Sequence, residues 1–386
     1  MKPRPNAPNE SLGAPPDRQR RAAVGVAERG RGATFNPGNR FRTETREASD
    51  DGWQPLLPEE SLPSGEVELP PLKTIVTLQR ARTIIARNDS PDIPFTQSIN
   101  PYQGCEHGCV YCYARPSHAY LDLSPGLDFE TRLFAKPDAA ALLRVELAKP
   151  GYACDPIALG TNTDPYQPIE REHRITRQIL EVLVEHRHPF TIVTKSALVE
   201  RDLDLIAPMA AQNMARVYIS ITSLDKDIAR TLEPRAAAPH RRLQAVRTLS
   251  DAGVPVGVLV APVIPGLTDH DLEHILEAAI ANGARYAGWI MLRLPREVAP
   301  LFRDWLDAHH PLRATHVMSL VQQIRGGRDY DAQFGTRMRG TGKFAELIEK
   351  RFELTCRRLK LARDRTPLDR SRFVPPKANA AQHELF

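Results

Sequence analysis

The amino-acid sequence predicts an α/β protein, a partial (β/α)6 barrel that follows a disordered N-terminal extension. From residue 95 onwards, six short β-rich runs alternate with five helical patterns, as expected for parallel strands joined by helices. A full barrel of this kind needs eight strands, so six strands favour an open barrel. The first 70 residues are rich in proline, glycine and arginine and have few apolar runs, which is typical of a disordered segment.

Composition excludes several classes of protein. The chain has 386 residues, of which 41% are hydrophobic and 26% charged, enough to build a sizeable core. Five cysteines are too few for a disulfide scaffold in a chain of this length and favour a reducing compartment. No window approaches the roughly 18 apolar residues of a membrane span, and the start lacks the apolar stretch of a secretory signal. We therefore expect a cytoplasmic protein with no membrane partner.

The chain divides into four predicted segments. These are a disordered basic segment at 1–70, a lead-in at 71–94, the barrel core at 95–330, and a C-terminal helix with a polar tail at 331–386. Residues 1–49 hold ten Lys or Arg against five Asp or Glu, and residues 351–386 hold nine against four. Both ends are therefore basic, which makes nucleic acid a candidate partner, with simple solvation of the tails as the alternative.

The elements of the core follow from the hydrophobic pattern. Strands are predicted at Phe95–Asn100, Pro156–Gly160, Phe190–Thr194, Arg216–Thr222, Pro255–Val263 and Ala287–Leu294. Helices are predicted between them at Pro137–Ala148, Thr176–Glu185, Asp202–Gln212, His240–Asp251 and Asp269–Asn282, and after them at Val298–Ala308 and Lys343–Ala362. Ligands of such sheets bind at the carboxyl ends of the strands, so we expect the site there.

The most specific motif is a C-x3-C-x2-C cluster formed by Cys105, Cys109 and Cys112, directly after the first predicted strand. Three interpretations are open. A zinc site would need a fourth ligand, such as His107 or His118. Three structural thiols without metal are a second option. A [4Fe-4S] cluster held by three cysteines would leave one iron open for a substrate or cofactor.

This spacing, in a loop after the first strand of a partial barrel and with aromatic Tyr111 before the third cysteine, resembles the radical SAM superfamily. Residues 98–137 are similar to a bacterial branch grouped with spore photoproduct lyase, a DNA-repair enzyme. The resemblance implies a [4Fe-4S] cluster and S-adenosylmethionine (SAM), whose reductive cleavage yields a 5′-deoxyadenosyl radical that abstracts hydrogen from a substrate. It also implies an external electron donor similar to flavodoxin or ferredoxin.

The resemblance further implies cofactor contacts at the strand ends. Thr161, Asn162 and Thr163 stand where the superfamily often has Gly-Gly-Glu, and their hydroxyl and amide groups can bond the SAM amino group. Lys195, after the third strand, is implied to pair with the SAM carboxylate, and Ser220, at the end of the fourth, to lie near SAM, as Tyr111 does. The plain alternatives are an Asp-Pro turn, an exposed lysine and a buried strand serine.

Tyrosines flank the third cysteine in the lyase as well, and there the second is implicated in returning hydrogen to the product. This makes Tyr113 the candidate hydrogen donor. The lyase also has a cysteine donor near the end of its second strand, whereas here Cys154 precedes that strand. The departure argues against the lyase's own reaction. We expect a radical enzyme acting on nucleic acid, or on a small molecule or peptide; a third option is a non-catalytic iron–sulfur or zinc module.

Overall fold

The computed structural model describes residues 30–42, 72–362 and 366–376. The strands are β1 Ile75–Leu78, β2 Ile85–Arg87, β3 Gln97–Ile99, β4 Tyr102–Gln103, β5 Arg132–Ala135, β6 Ile157–Leu159, β7 Phe190–Thr194, β8 Ala215–Ser220, β9 Val256–Val263 and β10 Tyr286–Met291. The helices are α1 Leu127–Thr131, α2 Ala139–Leu147, α3 Glu170–His173, α4 Ile175–Glu185, α5 Leu203–Ala211, α6 Lys226–Leu232, α7 Pro239–Asp251, α8 Leu272–Ala281, α9 Val298–His309, α10 Pro311–Gln323 and α11 Gly342–Leu359.

One sheet of seven strands carries the site. Its order is β10-β9-β8-β7-β6-β3-β2, with β3 and β6 to β10 parallel and β2 antiparallel to β3. The six predicted strands and the predicted fold class are confirmed. All six residues of β8 are buried, as expected for a central strand covered on both faces. Because β2 and β10 are the two ends of this order, the sheet is open.

Helices cover the sheet through apolar stripes with helical spacing. In α4, for example, Ile175, Ile179 and Leu183 are buried. The five predicted helices between the strands are present within three residues at each end. Helix α10 was not predicted; Pro311 occupies its first turn, a position at which a helix accepts proline. No helix among the described residues is long and apolar enough to cross a membrane.

Part of the segment predicted to be disordered has a defined place. Residues 30–42, which we call the N-terminal strap, lie against the loop that carries the cysteines, and Arg31, Ala33 and Thr34 are buried there. The prediction of disorder is wrong for the strap; the rest of 1–70 lies outside the described residues. The lead-in contributes β1, which pairs with β5 in a second sheet of order β1-β5-β4.

A loop joins the two ends of the open sheet. Residues 325–341, which we call the closing loop, bond to β10 through the Met291 N–H and the Met338 carbonyl at 2.9 Å. Arg337 Nε of the same loop donates to Asp92, beside β2, at 2.6 Å. The closing loop therefore covers the gap between β10 and β2.

The described part of the predicted polar tail packs at the other end of the sheet. Arg216 donates to the Thr366 carbonyl at 2.8 Å, and the Phe373 ring lies 5.2 Å from that of His188. Of the basic residues that carry the nucleic-acid prediction, seven of the ten in 1–49 lie outside the described residues, whereas six of the nine in 351–386 lie within them.

Candidate active site

The three motif cysteines lie in one loop that follows the short strand β4, shortly after the carboxyl end of β3. Cys105 and Cys109 are buried and Cys112 is half-buried. The loop turns tightly, because the Cys112 N–H donates to the Cys109 carbonyl at 3.2 Å and the Gly108 N–H to the Cys105 carbonyl at 3.3 Å. Gly108 has a φ of 67°, and a side chain there would meet the Glu130 carboxylate at 2.8 Å.

Burial decides the state of these thiols. It raises the pKa of Cys105 well above its usual value, with the nearby charge of Asp164 and Cys109 adding to the effect. Burial likewise raises the pKa of Cys109 to about 12. Cys105 and Cys109 therefore carry protons until a metal displaces them. Three soft, adjacent thiolates are a donor set that fits an iron–sulfur cluster.

The two histidines considered as zinc ligands have other contacts. His118 Nε2 lies 2.9 Å from the Arg132 carbonyl, and His107 Nδ1 lies 3.3 Å from Asp164. Within 30–42, 72–362 and 366–376, no three His, Cys, Asp or Glu side chains are arranged to hold a single metal ion. A four-iron cluster takes one thiolate at each of three irons and does not need them around one point.

A buried carboxylate fixes one flank of the cysteine loop. Glu130 is fully buried and pairs with Arg115, also fully buried, at 2.5 Å. Its two oxygens also accept the N–H groups of Gly32 and Ala33, at 3.0 and 2.9 Å. Arg115 then donates to the carbonyls of Gly108 and Cys109, at 3.2 and 2.9 Å. Strap, carboxylate and guanidinium thus form one network that ends on the loop.

A second buried network holds Tyr111. Its hydroxyl donates to Glu233, which also accepts from Thr222 at 2.7 Å and pairs with Arg242. Burial alone would raise the pKa of Glu233, but Arg242 and Lys195 lower it below its usual range. Glu233 is therefore ionised, and the Tyr111 ring is fixed beside the cysteines.

The turn after β6 carries the predicted Thr-Asn-Thr contacts. Asn100 organises it, because its side-chain oxygen accepts the Asn162 N–H at 3.0 Å. Thr161 is half-buried and Asn162 exposed, whereas the Thr163 hydroxyl is buried and donates to the Tyr102 carbonyl at 3.1 Å. Thr161 and Asn162 are therefore the members of this group whose polar side chains remain accessible to a ligand.

Asp164, which closes the same turn, was not predicted as a site residue. Its carboxylate accepts the Thr194 hydroxyl and the Lys195 N–H, both at 2.7 Å. Burial would raise the pKa of Asp164, but the charge and hydrogen bond of His107, with these further donors, lower it to about 2. The ionised carboxylate therefore ties the end of β6 to the end of β7.

Lys195 and Ser220 lie where the strand ends place them. Lys195 is half-buried, with Nζ 5.8 Å from the centre of the Tyr111 ring. Burial would lower the pKa of Lys195, but the charges of Cys109 and Glu233 raise it. Within the described part of the chain its ammonium forms no ion pair, so it remains available to an anion. Ser220 is buried at the last position of β8, and its carbonyl accepts from Arg242 at 3.0 Å.

Tyr113 follows the third cysteine and points out of the loop. Its side chain is 46% exposed, and its hydroxyl donates to the Thr161 carbonyl. Cys154 lies before β6, at the amino end of that strand, and therefore away from the carboxyl ends of the strands, where the site lies. The geometry brings the predicted residues to one edge of the sheet; their individual roles stay predictions.

Residues 99–279 match the family model of the radical SAM superfamily. The chain therefore contains a radical SAM domain, as the cysteine motif predicted. An uncharacterised protein of Mycobacterium tuberculosis is 39% identical over 221 residues, which cover 57% of this chain and 65% of that relative. A radical SAM Nα-GlyT isomerase of Pseudomonas phage M6 is 25% identical over 193 residues, 49% of this chain and 38% of that protein.

The fold is similar to that of a lyase of known structure. Spore photoproduct lyase complexed with dinucleoside spore photoproduct superimposes with a TM-score of 0.53 and 17% identity, over 74% of this chain and 79% of that chain. At this identity the similarity establishes the shared fold.

Proposed function

We propose that the protein is a cytoplasmic radical SAM enzyme that acts on nucleic acid. The observation that carries the first part is the loop after β4, where three cysteines, two of them buried, lie beside an ammonium that has no ion-pair partner within the described residues. When bound, a [4Fe-4S] cluster and SAM supply a reductive cleavage that generates a 5′-deoxyadenosyl radical. An external donor of the flavodoxin or ferredoxin kind provides the electron.

The proposal gives the predicted site residues the following roles. Cys105, Cys109 and Cys112 bind the cluster, and the open coordination position takes SAM. Lys195 pairs with the SAM carboxylate, since it is the accessible cation beside the thiols. The side chains of Thr161 and Asn162 accept hydrogen bonds from the SAM amino group, and Tyr111 and Ser220 form the adjoining wall.

Tyr113 is the proposed hydrogen donor. Its O–H bond breaks and the hydrogen atom passes to the substrate radical, which becomes the closed-shell product. The tyrosyl radical that remains takes one electron from the external donor and one proton from water. Exposure of the ring next to Cys112 supports this part, because a substrate can approach the side chain there.

Nucleic acid as substrate is supported by the fold shared with a lyase solved in complex with a dinucleoside photoproduct, and by the basic ends of the chain. Modification of a small molecule or peptide is the alternative.

The test is to incubate the reconstituted protein anaerobically with SAM, dithionite and perdeuterated DNA, RNA or peptides. We expect 5′-deoxyadenosine in every mixture and deuterium in it only with nucleic acid. A chain that carries iron but forms no 5′-deoxyadenosine would refute the enzyme proposal, and deuterium transferred only from peptide would refute the substrate proposal.

Deletion of residues 1–29 tests the basic N-terminus and leaves the strap intact. We expect weaker nucleic-acid binding, a lower salt dependence and unchanged SAM cleavage. Binding that is insensitive to both the deletion and salt would assign no such role to this end.

A further inference from the structure

One arginine at the edge of the site has no acidic partner among the residues that the structure describes. Arg293 follows β10 and is half-buried, with its guanidinium 5.0 Å from the centre of the Tyr113 ring and 6.0 Å from that of Tyr330. It donates to the Tyr330 hydroxyl at 3.3 Å and makes a weak contact with Met338 sulfur at 3.5 Å. Its Nε is buried without a hydrogen-bond partner.

The carboxylates near Arg293 accept hydrogen bonds from other groups. Asp92 feels the charge of Arg293, but its oxygens accept from the Gly335 N–H at 2.8 Å and from Arg337 at 2.6 Å. A second buried arginine adds positive charge: burial, together with the charge of Arg293, lowers the pKa of Arg325 to about 10. Asp331 offsets part of this charge, while its own oxygens are held by Gln333 and Thr336.

A half-buried guanidinium is costly to keep without a counter-charge. Here it lies next to an exposed ring, and a second exposed ring, Phe334, stacks on Arg337 with 4.5 Å between guanidinium and centroid. Cations interleaved with accessible aromatic faces form the platform by which proteins bind single-stranded nucleic acid, with phosphates on the cations and bases on the rings. All of these groups border the closing loop and the end of β10.

We propose that Arg293, held beside Tyr113 and Tyr330, binds a phosphate of a nucleic-acid strand, and that the exposed face of Tyr113 takes an adjacent base. This rests on the proposed function and deepens it, because the strand would enter next to the third cysteine. Arg293 would bind an anion in either case. A nucleic-acid phosphate is the anion proposed here, and the carboxylate of SAM is the alternative.

The test is the binding of a fluorescein-labelled single-stranded oligonucleotide of about ten nucleotides, followed by fluorescence anisotropy at several salt concentrations. The full chain is used with and without reconstituted iron. We expect Arg293→Gln to weaken binding about tenfold and to lower the salt slope by about one. Arg144→Gln is the matched control, because Arg144 lies on α2 and pairs with Glu185 at 2.6 Å; it should change binding less than threefold.

Two further measurements keep the test decisive. Arg293→Lys keeps the charge but loses the planar donor pair, so we expect an intermediate affinity, and thermal unfolding of each variant shows whether it folds. Equilibrium dialysis with SAM alone should give equal affinities for wild type and Arg293→Gln. Loss of SAM binding with oligonucleotide binding intact would assign Arg293 to the cofactor and overturn the proposal. A wild-type protein that forms 5′-deoxyadenosine but binds no oligonucleotide at low salt would overturn it without affecting the enzyme assignment.

Discussion

The two sides of the cysteine loop differ in how their charges are compensated. On the strap side, Glu130 and Arg115 are fully buried and every oxygen of the carboxylate has a donor. The other side, which we call the mouth side, lies at the carboxyl ends of β7 and β10. Its two cations, Lys195 and Arg293, are half-buried, and neither forms an ion pair within the part of the chain that the structure describes. The charges on the strap side compensate one another. The mouth side has an excess of positive charge that an anionic ligand would neutralise.

This difference separates structural from functional charge. Removing one member of a satisfied buried pair leaves an uncompensated charge and destabilises the fold. Removing a cation that forms no ion pair costs the fold less, because Glu233, the carboxylate whose charge acts most on Lys195, keeps Arg242 as its partner. The same kind of substitution should therefore act mainly on stability on the strap side and mainly on ligand binding on the mouth side.

The largest effect is expected on the strap side. Glu130→Gln leaves Arg115 buried without its counter-ion, so we expect a loss of about 3–5 kcal/mol in the free energy of unfolding, with reduced iron loading. Urea unfolding and iron analysis measure the two. The matched control is Glu185→Gln, since Glu185 pairs with Arg144 on the surface and should cost less than about 1 kcal/mol. Equal losses of unfolding free energy in both variants would mean that the strap network stabilises the fold no more than a surface ion pair does.

On the mouth side, Lys195→Met should lower SAM affinity about tenfold or more, the worth of a charge-assisted hydrogen bond, while the unfolding free energy falls by less than in Glu130→Gln, because Glu233 keeps Arg242. Equilibrium dialysis and urea unfolding measure these. Lys226→Met, on the exposed start of α6, is the control and should alter neither. A destabilised Lys195→Met with normal SAM affinity would remove the distinction between the two sides.

The smallest structural effect is expected at Tyr113. Tyr113→Phe keeps the ring and removes the hydroxyl, so stability and SAM cleavage should persist while product forms slowly or is replaced by side products. Tyr120→Phe, at a tyrosine that is 70% exposed, serves as control. Mass spectrometry of the products decides the matter. Normal turnover by Tyr113→Phe would show that the tyrosine only packs the loop.

The fold could be predicted because its strands are short apolar runs and its helices carry regular apolar stripes. The cysteine motif could be predicted because three thiols in eight residues are rare and chemically specific. The strap could not, since Gly32 and Ala33 bind Glu130 through backbone N–H groups, which leave no side-chain signal.

The missed networks have a similar cause. Glu233 and Arg242 lie in ordinary charged stretches before and within α7, and only the fold brings them to Tyr111. Asp164 was interpreted as part of an Asp-Pro turn, and its contacts with β7 depend on strand pairing. Long-range pairs of this kind have no local periodicity to reveal them.

We propose that Cys105, Cys109 and Cys112 hold a cluster that leaves one iron for SAM. The most direct measurement is iron and sulfide analysis of anaerobically reconstituted protein, with electron paramagnetic resonance of the reduced form before and after SAM is added. We predict about four irons and four sulfides per chain and a spectrum that changes when SAM is added. Each of Cys105→Ala, Cys109→Ala and Cys112→Ala should lose the cluster and its spectrum. Cys154→Ala and Cys356→Ala should keep them. Stoichiometric zinc without iron, or a spectrum that is indifferent to SAM, would contradict the claim.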